Sequence, residues 1–356
     1  MMFTHSVTSF DYRDHRKLAL TGLNLWENHG WMVWDQVDGE DLLLWLSPYR
    51  IVGAHPDSPF AVHDVALSQT MIVRSSYEGN ERRKMHDDLF LAVGYDLGDH
   101  LSGDALQIEV DEKKAIWRIG DRNFIAAPPV WRITGSHVDV EVDLTFEPTG
   151  PAIWLTDPAK TIEESQDRWF LLFARARGRV VHRGQLFTID GYAAHERHVH
   201  CGTIYNPVRL LSARGATFHC LATKDKQLVI CSRPSLGLAW ARLMSQGHVV
   251  DFSTPLHSST IIEADFWVDP QSRIQVPCSW HSRFQGPSGW LEVTGHAFSR
   301  GYYLWPHFKF GCTVAYWWLG EAELSYELAS GERGHLSRVQ YVVHDNRLLY
   351  RQHHDD

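Results

Sequence analysis

The stretch Val138-Asp139-Val140-Glu141-Val142-Asp143-Leu144-Thr145-Phe146 decides how this chain folds. Every second residue is apolar, and each residue between is acidic or hydroxylated. A β-strand sends successive side chains to opposite faces. Val138, Val140, Val142, Leu144 and Phe146 therefore share one face, and Asp139, Glu141, Asp143 and Thr145 the other. A slip of one residue would bury three carboxylates, so the register is tightly set. The pattern predicts an antiparallel strand with a buried inner face and a wet outer face.

The residues upstream read as repeated hairpins. Strands are expected at Leu106 to Val110, Ala115 to Ile119 and Val130 to Thr134, with polar turns at Asp111 to Lys114, Gly120 to Asn123 and Gly135-Ser136. Short strands at this spacing indicate a barrel or sandwich and not βαβ units. Downstream, strand patterning runs from Trp169 to Arg175 and recurs as far as Val339 to Val343. Helix is scarce: Tyr12 to Asn28 is the main candidate, with weaker ones at Leu155 to Arg168 and Leu236 to Gln246. Pro148, Pro151 and Pro158, followed by Glu163, Glu164 and Asp167, mark the expected boundary. The expectation is thus an all-β chain with two tandem antiparallel β-barrel domains. The first covers residues 1–150 and the second 169–356, with 151–168 as the linker. Each is long enough for an eight-stranded barrel. No short-period repeat is present, which disfavours propellers and solenoids.

A chain of 356 residues exceeds one ordinary core, in keeping with two domains. The 15 Trp, 12 Tyr and 16 Phe supply large rings suited to strands and to apolar pocket walls. A net charge of −9 disfavours nucleic acid and anionic membranes as partners. Met1 to Phe10 has no basic and apolar leader pattern, and no apolar stretch approaches the roughly 20 residues of a membrane span. The five cysteines (Cys201, Cys220, Cys231, Cys278 and Cys312) are odd in number and widely spaced, without a Cys-x-x-Cys pair. A disulfide framework or structural zinc is not expected, and a reducing cytoplasm fits.

The densest polar cluster is Gly191-Tyr192-Ala193-Ala194-His195-Glu196-Arg197-His198-Val199-His200-Cys201-Gly202. On a strand, Glu196, His198 and His200 share one face and His195, Arg197 and Val199 the other. Two imidazoles beside a carboxylate suit acid–base work, metal ligation or plain hydrogen bonding within a barrel. The cupin motif also contains His-x-His, but its next carboxylate is missing from Thr203-Ile204-Tyr205-Asn206. Ala61-Val62-His63-Asp64 is a weaker pair, because neighbours on a strand face apart. The aromatic run Gly301 to Phe310, followed by Tyr316-Trp317-Trp318, suits either a cavity wall or the core of a last hairpin. The chain has no Gly-x-Ser-x-Gly elbow, no Walker loop, no Gly-x-Gly-x-x-Gly after a strand and no His-Glu-x-x-His.

Three segments together resemble the two-domain lipocalin-like superfamily that includes carotenoid 1,2-hydratases, AttH-type proteins and lipocalin-like Diels–Alderases. They are His29-Gly30-Trp31-Met32-Val33-Trp34-Asp35-Gln36-Val37-Asp38-Gly39, Val142 to Pro151 and Gly191 to Gly202. The last is placed by the resemblance at the start of the second barrel; the family often has Trp where Cys201 stands here. The resemblance implies a cofactor-free protein acting on a hydrophobic polyene, terpenoid or polyketide, by hydration or by folding the substrate for cyclisation.

The leading expectation is a cyclase, pericyclase, isomerase or hydratase of specialised metabolism without a redox cofactor. Glu196, His198 and His200 are the expected proton-transfer or carbonyl-binding residues. Trp31, Trp34, Tyr303 and Trp305 are the expected pocket wall. The alternatives are a non-catalytic carrier of a lipophilic molecule and a metal-dependent cupin-like enzyme.

Overall fold

The computed structural model describes residues 3–19, 24–52, 65–75, 101–137, 139–202, 217–233, 238–245, 248–253, 256–269, 275–307 and 311–350. The alternating stretch is a strand, Val140–Pro148, paired on one side with Val130–His137 and on the other with Asp167–His182. Val140, Val142, Leu144 and Phe146 are all at most 2% exposed, whereas Asp139 and Glu141 are exposed and Asp143 is half-buried. Val138 lies outside the described residues. The parity is the one the sequence dictates.

The described strands form two large antiparallel sheets. The first runs Leu101–Ser102, Val65–Arg74, Glu40–Val52, Asn24–Val37, Gln185–Gly202, Asp167–His182, Val140–Pro148, Val130–His137, Arg122–Ala127, Ala115–Ile119, Gln107–Val110. The second runs from His248–Phe252 through Leu238–Ser245, Lys226–Arg233, Thr217–Ala222, Arg333–Tyr350, Gly311–Leu328, Gly289–His307 and Ser279–Gly286 to Ser258–Ala264. The fold is all-β, as the patterning predicts.

The change of sheet does not fall at 151–168. Val140–Pro148 pairs directly with Asp167–His182 across that segment, which itself holds a short strand, Ala152–Trp154, and one helical turn, Ile162–Ser165. The prolines interrupt a strand without ending the sheet. Gln185–Gly202 closes onto Asn24–Val37 in register from Tyr192↔Trp34 to Gly202↔Asn24. The cluster at 191–202 therefore belongs to the first sheet, and among the described residues the second sheet starts with Thr217–Ala222.

Two expected helices are also strands. Among the described residues of Tyr12 to Asn28 only Arg16–Ala19 is α-helical, and Asn24–Val37 is a long strand; Leu236 to Gln246 contains the strand Leu238–Ser245. Gly135 is not a turn residue either. It sits inside Val130–His137 with φ 97°, against the carbonyl of Asp121, where a side chain has no room.

Three apolar layers explain these differences. Trp31, Trp117, Trp131, Leu144, Phe146 and Phe170 fill the inside of the first sheet. Leu228, Trp280, Phe284, Leu291, Tyr316 and Trp318 fill the second. Between the sheets lies a third layer: Met32, Trp34, Trp45, Leu171 and Phe173 from one side meet Phe218, Cys220, Phe298, Trp317 and Val342 from the other. Strands next to this layer are buried on both faces. Leu42, Leu44 and Leu46 join the first core while Leu43 and Trp45 join the interlayer, so the run is apolar throughout and period two disappears. Burying each such large side chain contributes about 1.5–3 kcal/mol.

Candidate functional site

Parity divides the 195–200 cluster between two environments. His195 and Arg197 point into the first sheet's interior and are at most 1% exposed. His195 Nδ1 donates to the Gly30 carbonyl (2.7 Å), which leaves Nε2 to accept from the Tyr12 hydroxyl (2.9 Å). Tyr12 in turn accepts from Trp131 Nε1 (2.8 Å). Burial drives His195 down to about 3, so it is neutral, and this chain of bonds is complete. Arg197 binds Glu27 (2.8 Å) and the Asn28 carbonyl (2.8 Å), with its guanidinium over Trp117. These groups are internal structure.

Glu196, His198 and His200 face the interlayer side. The Glu196 carboxyl receives one donor on each oxygen: Trp169 Nε1 at 3.1 Å and Asn28 Nδ2 at 3.2 Å. The Asn28 amide orientation is settled by its other end, because Oδ1 accepts the His198 backbone N–H at 2.9 Å. Desolvation raises the Glu196 carboxyl above its ordinary range, against the lowering influence of His198, Asn28 and Trp169. His198 lies flat on Trp169 (centroids 4.6 Å apart, 9° between planes) and edge-on to Trp26, and its Nε2 meets Asp167 Oδ1 at 2.5 Å. His200 Nδ1 is 4.0 Å from the same Asp167 oxygen.

Glu196 lines a cavity of about 30 Å³ in the interlayer. Met32, Trp45, Leu171 and Phe173 form its wall on the first sheet, and Phe218, Cys220 and His344 its wall on the second. His344 stacks on Trp317 (4.4 Å, 14°), and burial depresses it to about 3, so it too is neutral. Burial, reinforced by Cys231 and Glu196, pushes the Cys220 thiol up, which makes it an inert wall group and not a nucleophile.

Of the expected site residues, the structure brings Glu196 to the cavity. His198 and His200 sit beside it, along the strand, and converge on Asp167. Trp31 is fully buried in the first core, stacked on Phe146 (3.9 Å) and His195 (4.4 Å). Trp34 is fully buried in the interlayer, outside the cavity lining. Tyr303 and Trp305 belong to the Gly289–His307 strand, but their side chains lie outside the described residues, as do His63 and Asp64. Among the described residues, no three His, Cys, Asp or Glu side chains gather as a metal-binding group. Cys220 and His344 were not singled out by sequence reasoning. The one available signal for His344 was its parity with Val342, one residue past the expected strand Val339 to Val343.

The fold and the site define a class: an all-β protein of two stacked antiparallel sheets with a polar group opening on an apolar interlayer cavity. This fold is shared with a Nitrosomonas europaea protein described as AttH, at TM-score 0.55 and 13% identity over 94% of this chain and 95% of that one. Kievitone hydratase from Nectria haematococca aligns over 96% of this chain and 93% of its own, with TM-score 0.47 and 10% identity. No protein-family model matches the chain, and no curated protein matches it. No helix among the described residues is long and apolar enough to cross a membrane.

Proposed function

We propose that this protein is an enzyme in which Glu196 protonates an unsaturated bond of a hydrophobic small molecule held between the two sheets. Protonation followed by water capture is a hydration; protonation followed by proton loss or ring closure is an isomerisation or cyclisation. One observation carries the reading. Both neighbours of the Glu196 carboxyl, Trp169 Nε1 and Asn28 Nδ2, are donors only. When Glu196 is protonated, neither can accept its hydrogen, which is left to face the cavity. Desolvation favours that protonated form, and the apolar wall excludes competing water from a cationic intermediate. Trp45 and Phe218 are aromatic side chains lining the cavity that suit stabilising such a charge.

A cavity of about 30 Å³ holds one or two waters. A larger substrate must displace apolar side chains such as Met32 and Phe173, and the flexible thioether of Met32 suits that. The test is incubation with a panel of polyenes, terpenoids and prenylated phenols in D₂O, followed by mass spectrometry. Carbon-bound deuterium in the product is expected. Glu196→Gln should cut its formation by about 10²–10⁴-fold in protein that remains folded. Binding without deuterium uptake, equal in wild type and variant, would overturn the enzyme in favour of a carrier.

A further inference from the structure

We propose that His198, braced by Asp167, is a positioning residue whose charge sets the proton affinity of the Glu196 acid. This rests on the reading of Glu196 as the acid at the cavity. The two side chains are on one face of Gln185–Gly202 at spacing i, i+2, with Cα atoms roughly 7 Å apart. Asn28 ties them together, holding the His198 backbone with Oδ1 and the Glu196 carboxyl with Nδ2. Trp169 does the same with its ring, stacked on His198 and donating to Glu196.

Exposure rises in order away from the cavity. His198 is 13% exposed, His200 28% and Asp167 36%. A solvent proton therefore meets the His198–Asp167 end first, and Glu196 lies behind it. The groups facing the pair from the second sheet are Cys220 and His344. Burial keeps the thiol protonated and the His344 ring neutral, so neither adds charge near neutral pH. Asp167 and His200 are the other charge-bearing neighbours on the first sheet. The proton balance is simple. Glu196 gives its proton to substrate and becomes a carboxylate, and one proton from solvent restores the acid.

Coupled sites shift one another reciprocally. The test is a ¹³C-carboxyl and imidazole NMR titration of labelled protein, which needs no substrate. His198→Gln should raise the Glu196 midpoint by about one pH unit, roughly tenfold in proton affinity, the size expected for unit charges at that separation. His200→Gln should move Glu196 by less than half as much. An unmoved Glu196 midpoint in folded His198→Gln protein would overturn the proposal. If His198→Gln does not fold, the Glu196 midpoint in His198→Asn decides instead. Loss of turnover in Glu196→Gln without this coupling would overturn the pair and leave the acid; coupling without any turnover would do the reverse.

Discussion

Glu27 is fully buried in the first sheet, one residue before the Asn28 that holds Glu196. Burial alone would raise its carboxyl. Attraction to Arg197 at 2.8 Å, the bond from His15 at 3.2 Å and the charge of Arg50 at 3.6 Å win instead, holding it at about 2 against an ordinary 4.5. The folded value is depressed, so the stabilisation is fully present above about pH 4.5 and is lost as pH falls toward 2. The difference of 2.5 units converts to roughly 3 kcal/mol at pH 7 and roughly 1.5 kcal/mol at pH 3. Burial also pulls the Arg197 guanidinium down, so the pair gains less than Glu27 alone indicates, and roughly 3 kcal/mol is a ceiling. The perturbation is Glu27→Gln, which keeps the shape and mimics the protonated acid. Urea unfolding of both proteins at pH 7 and pH 3 gives the two gaps, and the other carboxylates cancel in the comparison. A gap of equal size at both pH values would refute the reasoning, because it would show that the proton affinity of Glu27 does not change on folding.

Tyr12→Phe removes the hydroxyl between His195 and Trp131 and leaves two buried polar groups without partners, at a cost of about 1–3 kcal/mol. Denaturant melts should also show Tyr12→Phe and Trp131→Phe to be less than additive, since they break one chain of bonds; full additivity would contradict it. Gly30 stands opposite Glu196 with the Trp45 indole lying on it, nearer than a Cβ allows. Gly30→Ala should push Trp45 by roughly 1 Å or more into the cavity. It should lower stability by about 1–3 kcal/mol and weaken binding of an apolar fluorescent probe, with wild-type binding as the contrary result.

The half-wet strands Ala115–Ile119, Val130–His137 and Val140–Pro148 were legible because each has one face toward water, and solvent imposes alternation on the residues that face it; Arg122–Ala127, which begins inside the expected turn at Gly120 to Asn123, was not among the expected strands. Parity along the sequence also separates His195 and Arg197 from Glu196, His198 and His200, since an extended backbone allows no other division. Asn24–Val37 and Leu238–Ser245 were not legible as strands. In the first of them, Met32 and Trp34 meet the interlayer while Trp31 and Val33 meet the first core, so between Gly30 and Trp34 no polar position marks the period. The prolines at 148, 151 and 158 are a local signal, and whether the next strand returns to the same sheet is a question of pairing that they do not encode. The composition and alternation of this chain were enough by themselves to determine an all-β architecture and the faces of its wet strands. Only the stacking of the two sheets decided which residues meet across the interlayer. Glu196 faces Cys220 and His344 because two apolar sheet faces bury each other there, and contacts made that way depend on the register of whole sheets and not on spacing along the chain.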